Sequence, residues 1–264
     1  MEVLRVLRAG FAPVKGTRHL AYDAVHLDEG GPVGDRGYAL VDLAGGPRGH
    51  QARVLKTVQN PTLVAVRAEL VGQRLDVVLP DGAAASDQPR PTGEVVTSDY
   101  WGRATPLELV DGPHAELFSD WLGKPVRLAR AGRGEVVFAA SLSIVASASL
   151  RDLAARADEP ALAALEQAAR FRPSLVVDTD EPFIEETWLG RSFALGPGLD
   201  APVIRVGVPI PRCAVIDVDP DTGERGTRLL KTLAAHRPLN RAGEPAFGVY
   251  AEVVSPGVAS AASR

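Results

Sequence analysis

The strongest constraint on this chain is its punctuation. Short apolar-containing runs at residues 2–8, 20–27, 38–43, 62–69 and 74–79 are each closed by turn formers such as Asn60-Pro61 or Pro80-Asp81-Gly82. Runs this short, stopped this often, favour strands in a barrel or sandwich over alternating strand and helix units. The expected fold class is therefore mainly β, a β-barrel with a few packed helices.

The second half reads less uniformly. Residues 83–93 are rich in Ala, Ser and Pro and are expected to form a loop. Leu117, Phe118, Trp121 and Leu122 share one helical face and Gly123 supplies a stop, so residues 112–122 are expected to be a helix. Strands are expected at 126–130, 141–145, 192–195, 203–208, 214–218 and 247–254. Ser149 followed by Asp152 resembles a capping box, so a helix is expected to start there. Further helices are expected at 161–169, with Pro160 in the first turn, and at 227–236.

Bulk properties exclude several classes. With 264 residues and 45% hydrophobic content the chain can bury a real core, as one large domain or two small ones. A net charge of -4 argues against a general nucleic-acid or membrane-surface binder, and any basic site must be local. The start, Met1-Glu2-Val3-Leu4-Arg5-Val6, has no sustained apolar run, so no signal peptide is expected, and no stretch is long enough to span a bilayer. A cytoplasmic location follows as the default.

The chain has a single cysteine, Cys213. It therefore has no internal disulfide and too few thiolates for a Cys-based zinc site or an iron–sulfur cluster. Pro209 and Pro211 restrict the backbone on either side of Ile210, so Arg212 and Cys213 are expected on a stiff turn. A guanidinium beside a thiol favours the thiolate, which attacks electrophiles and ligates soft metals. The alternative is a small core hydrophobe, which free cysteines often are. Elsewhere, Lys15 lies in a turn before Gly16, Asp35-Arg36 sits in a glycine-dense loop, and Arg170-Phe171-Arg172 could clamp an anion or pair with surface acids.

Taken in order, Pro13-Val14-Lys15, Gly34-Asp35-Arg36, Ala148-Ser149-Leu150, Arg170-Phe171-Arg172-Pro173, residues 185–188, Arg212-Cys213, Asp219-Pro220-Asp221-Thr222-Gly223, Leu230-Lys231-Thr232-Leu233 and Phe247-Gly248 resemble the MOSC family, in its form with an N-terminal β-barrel domain. The resemblance implies a two-lobed architecture, with an N-terminal barrel domain over 1–110 and a MOSC domain over 111–264. It is similar to the mitochondrial amidoxime-reducing component and its bacterial counterparts, which implies a molybdenum-pterin (molybdopterin) cofactor and reduction of N-hydroxylated or N-oxide compounds. By resemblance, Cys213 would be the thiolate on molybdenum. Lys15, Arg36, Arg172 and Arg212 would hold the cofactor's phosphate and pterin, with Ser149 and Ser174 as neutral contacts. The implied partners are a small-molecule substrate and an external electron donor, a ferredoxin-like, flavin or cytochrome protein. Neither nucleic acid nor membrane is implied. The sequence departs from close relatives at Gly16, where they have serine, at Ser174, where they have asparagine, and after Pro256-Gly257, where their closing strand is expected to be missing. Two other readings are a persulfide carrier acting through Cys213 and a binding domain without cofactor.

Overall fold

The structure is a computed structural model that describes residues 1–44, 52–198 and 200–262. It is mainly β, with curled sheets that form a half-barrel. The largest sheet has seven strands in the order Ser192–Ala194, Val203–Pro211, Ala246–Ser255, Leu142–Ala146, Leu175–Val177, Val6–Phe11 and Leu20–Tyr22. All neighbours are antiparallel except Leu142–Ala146 with Leu175–Val177, where Val145 lies opposite Val176. Its central strands are β-branched and buried on both faces, as strands covered on two sides must be. Leu142 and Ile144 face one core with Leu175 and Val177, whereas Val145 and Val176 face another, built from Leu150, Leu153, Phe171 and Leu233.

A five-stranded sheet runs in the order Arg90–Tyr100, Arg103–Asp111, Arg127–Ala131, Tyr38–Asp42 and Arg53–Val54. A three-stranded sheet, Arg67–Val71, Arg74–Val78 and Ala84–Asp87, packs beside it. The helix His114–Leu122 closes this region by burying Phe118 against Leu75, Leu128 and Val110, and stops at Gly123 in the left-handed conformation. Strands from both ends of the chain share sheets: Val6–Phe11 joins Leu175–Val177, and Arg127–Ala131 joins Tyr38–Asp42.

The pairing of Val203–Pro211 with Ala246–Ser255 is irregular. Pro209 pairs with Val249 and Pro211 with Ala246, so three steps on one strand match two on the other. The extra residue is absorbed at Gly248, whose φ is +77. Such a bulge re-aims neighbouring groups. Here it sends Phe247 into the helical core while Val249 returns to the opposite one.

Several local expectations are corrected. Residues 83–93 are not a loop but the strand Ala84–Asp87 and the start of Arg90–Tyr100. The apolar run after Cys213 is a 3-10 turn, Ala214–Asp217, because periodicity cannot separate a short apolar strand from a short buried turn. Residues 161–169 break at Ala164, whose ψ of 139 splits the segment into 3-10 turns Pro160–Ala163 and Leu165–Phe171. The expected strand at 62–69 begins as a 3-10 turn, Pro61–Ala65, turns extended at Val66, and is a strand from Arg67. The helix expected from Ser149 starts at Ser147 with no side-chain cap. The chain end does form a closing strand: Gly257–Ser260 pairs with Ala24–Asp28 and buries Ala259.

Candidate functional site

A cleft of about 290 Å³ gathers Lys15, Arg36, Arg172, Arg212 and Cys213 from four separate parts of the chain. Backbone contacts position most of them, and a neighbouring carboxylate also holds Arg36. The amide of Lys15 donates to the Tyr38 carbonyl at 2.7 Å, and Gly16 turns the chain with φ +95. Arg36 and Arg172 both sit in the left-handed region, at φ +49 and +53, which is uncommon for residues with a Cβ. Arg36 donates its amide to the Ala12 carbonyl, and its Nε meets Asp35 Oδ2 at 3.1 Å. Asp35 is itself fixed, accepting the Ala12 amide at 3.2 Å. Arg172 donates from Nη1 to the Thr17 carbonyl at 2.6 Å, tying the cleft wall to the Lys15 turn.

Arg212 ends the strand Val203–Pro211 and is held by the Gly248 bulge. Its Nε donates to the Phe247 carbonyl at 2.7 Å and Nη1 to the Phe171 carbonyl at 2.8 Å, while its guanidinium carbon lies 5.7 and 5.9 Å from the two ring centroids. Nη2 is buried and has no hydrogen-bond partner. The next residue, Cys213, has extended backbone and an exposed thiol. The stiff turn expected around it is present, and Cys213 is not a core hydrophobe.

The charge balance of the cleft is one-sided. Among the described residues, lysine and arginine line it at 15, 36, 56, 170, 172 and 212, against one acid, Glu244. Burial, and then Arg36 and Arg172, hold the Lys15 amine well below its ordinary value. Burial, reinforced by Arg36, lowers Arg172 to about 10, and burial lowers Arg212 to about 10. These are cations for which an incoming anion would relieve both desolvation and repulsion. Among the described residues no group of three or more His, Cys, Asp or Glu could hold a metal ion. A metal at Cys213 must therefore bring most of its ligands with it.

Two expected contacts do not reach the cleft wall. Ser149 is fully buried inside its helix, where its hydroxyl lies 3.0 Å from Glu185 and accepts the Phe183 amide at 2.7 Å. Ser174 faces inward, accepting the Ser143 amide at 3.2 Å, and Ser143 takes its place along the cleft. Of the two readings open for Arg170 and Arg172, an anion clamp or pairing with surface acids, the structure gives Arg170 an acid partner and leaves Arg172 without one among the described residues. Arg170 is consumed structurally, donating to the Val218 carbonyl and to Asp219, and it anchors the turn that follows. Sequence reasoning missed Lys56, Tyr100, Trp101, Phe138, Tyr250 and Glu244. Only Trp101-Gly102 left a signal, as a two-residue turn with an unusual first member. A Cβ at Gly16 would stand 3.2 Å from Leu63 Cδ1 and 3.4 Å from Thr57 Oγ1, so a hydroxyl lies beside the position where relatives carry serine.

The family model for the MOSC domain matches residues 124–262, more than half of the chain. The chain belongs to the MOSC family. The matched region of this MOSC protein holds Arg170, Arg172, Arg212 and Cys213, whereas Lys15, Arg36 and Trp101 precede it. A molybdenum cofactor sulfurase of Anopheles gambiae is 37% identical over 94 residues, which cover 36% of this chain and 11% of that protein. The MOSC protein thus matches only a small part of that relative's length. MOSC domains are linked to the molybdenum cofactor. The cleft is compatible with such a group: it offers an accessible soft donor, a buried guanidinium nitrogen without a partner, and cations in excess of acids. No helix among the described residues is long and apolar enough to cross a membrane.

Proposed function

We propose that this MOSC protein is a molybdenum-cofactor oxidoreductase that removes oxygen from N-hydroxylated or N-oxide substrates, with Cys213 as its thiolate on the metal. The observation that carries the reading is the convergence of Lys15, Arg36, Arg172 and Arg212 on one cleft with an exposed thiol at its edge. When bound, the cofactor would supply the two-electron oxygen-atom chemistry, as cofactors carry the reactions that side chains cannot. The chain's part is to bind and orient. Lys15, Arg36 and Arg172 would neutralise an anionic tail, with the guanidiniums able to grip phosphate in a fork. Arg212 Nη2 would donate to a polar edge of the ligand, and Cys213 would present its sulfur from a turn that cannot easily swing away. The chain holds one cysteine and hence no iron–sulfur cluster, so electrons would arrive from an external ferredoxin-like, flavin or cytochrome protein, in the cytoplasm.

The test is elemental analysis and pterin fluorescence on protein from a cofactor-making host. About one molybdenum per chain in the wild type and none in Cys213→Ala supports the reading; metal-free, pterin-free wild type sinks it. A second reading, a persulfide carrier, is favoured by the exposure of Cys213 and by the sulfurase relative. Mass spectrometry after incubation with a cysteine desulfurase would then show one added sulfur on Cys213.

A further inference from the structure

We propose that the lip of the cleft is an aromatic subsite, in which Trp101 and Phe138 receive a neutral planar ring of the substrate while its reacting end is directed toward Cys213. This deepens the proposed reductase and rests on that reading for the identity of the reacting end. Trp101 occupies a backbone position that suits a much smaller residue. Trp101 and Gly102, at φ +56 and +82, form the two-residue turn between Arg90–Tyr100 and Arg103–Asp111. Turns with both central residues at positive φ suit Asn, Asp and Gly; a bulky side chain there strains the backbone. Burial does not compensate, because Trp101 is 55% exposed. A strained backbone position that carries a half-exposed aromatic ring motivates a functional reading.

The surroundings hold the indole as a shelf. Phe138, itself 46% exposed, meets it edge-on, with centroids 5.0 Å apart and planes at 82°. Lys56 Nζ lies 3.9 Å from the indole centroid, covering one part of it and disfavouring a cationic guest. Arg103, the residue after the turn, donates from Nη2 to the Val137 carbonyl, which ties the hairpin to the loop carrying Phe138. Both rings line the same cleft as Cys213, and both are exposed. Aromatic rings attract other rings by stacked or edge-to-face contact beyond simple area burial, and an aliphatic guest with the same reactive head forgoes that gain. Of the five non-glycine residues at positive φ among the described residues, Arg36, Arg172 and Trp101 line this cleft. The first two present charge, and the third presents a ring.

The experiment compares benzamidoxime with acetamidoxime on full-length protein from a cofactor-making host, using calorimetric Kd, KM and molybdenum content. The variants are Trp101→Asn, Trp101→Ala and Phe138→Ala. In the Trp101 variants the benzamidoxime Kd rises about tenfold and the acetamidoxime Kd stays within about twofold. Molybdenum content stays at the wild-type level, and Trp101→Asn, which suits the turn, melts no lower than wild type. Equal effects on both compounds, or none, overturn the subsite. Loss of molybdenum in Trp101→Asn also overturns it, by assigning the indole to the cofactor. Wild type that lacks molybdenum but still prefers the aromatic compound through Trp101 defeats the reductase reading and leaves the subsite standing. Molybdenum-loaded wild type that binds both compounds alike does the reverse.

Discussion

Arg212 and Cys213 are neighbours in the chain and opposites in exposure: the arginine is 8% exposed and bonded to two backbone carbonyls, while the thiol beside it is open to the cleft. The guanidinium is the hinge pin of the site. It joins the end of the strand Val203–Pro211 to the carbonyls of Phe247 and Phe171, beside the backbone of Cys213. The pairing separates two roles that a single mutation would otherwise confuse, structure at 212 and chemistry at 213.

Replacing Cys213 by alanine leaves the fold intact, since an exposed side chain outside any network changes stability by no more than about 0.5 kcal/mol. Thermal unfolding of the variant overlays the wild type, while the molybdenum content and N-hydroxylated-compound reduction that the proposed function assigns to the wild type are lost. In cofactor-free wild type the thiol alkylates readily; in loaded protein it is protected.

Arg212 behaves in the opposite way. Arg212→Ala strips the donors from the Phe171 and Phe247 carbonyls, each costing about 1–3 kcal/mol if left buried and unpaired. A loss of about 3 kcal/mol in urea unfolding is expected. Lysine rescues little of it, because one ammonium cannot reproduce a planar fork. A fully stable Arg212→Lys would contradict the pinning role.

Gly248→Ala is expected to be more damaging than its size suggests. A Cβ there would stand 2.5 Å from the Ile144 carbonyl oxygen and 2.8 Å from Val145 Cγ2, at a φ of +77. Either the bulge or the sheet must give, at a cost of about 3 kcal/mol or more. Soluble, cooperatively unfolding Gly248→Ala with native stability would show that the bulge is not needed.

Lys15 sets the pH response of the cofactor-free protein. Its folded pKa is depressed by burial and by Arg36 and Arg172, so between that value and its ordinary 10.5 the unfolded chain binds the extra proton. Stability therefore rises with pH through this window and falls as pH drops through the folded value. Urea unfolding between about pH 7 and 9.5 should show the rise in the wild type and a flatter profile in Lys15→Met. Phosphate, by neutralising the cleft, should stabilise the wild type more than the variant at equal ionic strength.

Much of this architecture was legible locally. The short strands, the helix ending at Gly123, the stiff turn at Cys213 and the helix Leu229–His236 follow from turn residues and periodicity. The misreadings at 62–69 and 214–218 share one cause. A short apolar run carries the same local pattern whether it becomes the 3-10 turn Ala214–Asp217 or a strand, and packing of Ile216 against Leu229 and Phe247 decides between them. Ser149 illustrates the same limit, since nothing near it in sequence announces that Glu185 will take up its hydroxyl.

By itself the sequence determined the class of fold, the presence of a single cysteine and the inventory of cations, because those depend on residue type and on neighbours a few positions away. Only the tertiary structure decided that Arg172 faces the cleft while Arg170 anchors Asp219, that Ser149 and Ser174 turn inward, and that Trp101 stands at the lip. Those outcomes rest on single backbone torsions, one bulge and contacts between residues far apart in the chain, and no local pattern encodes where such a side chain will point.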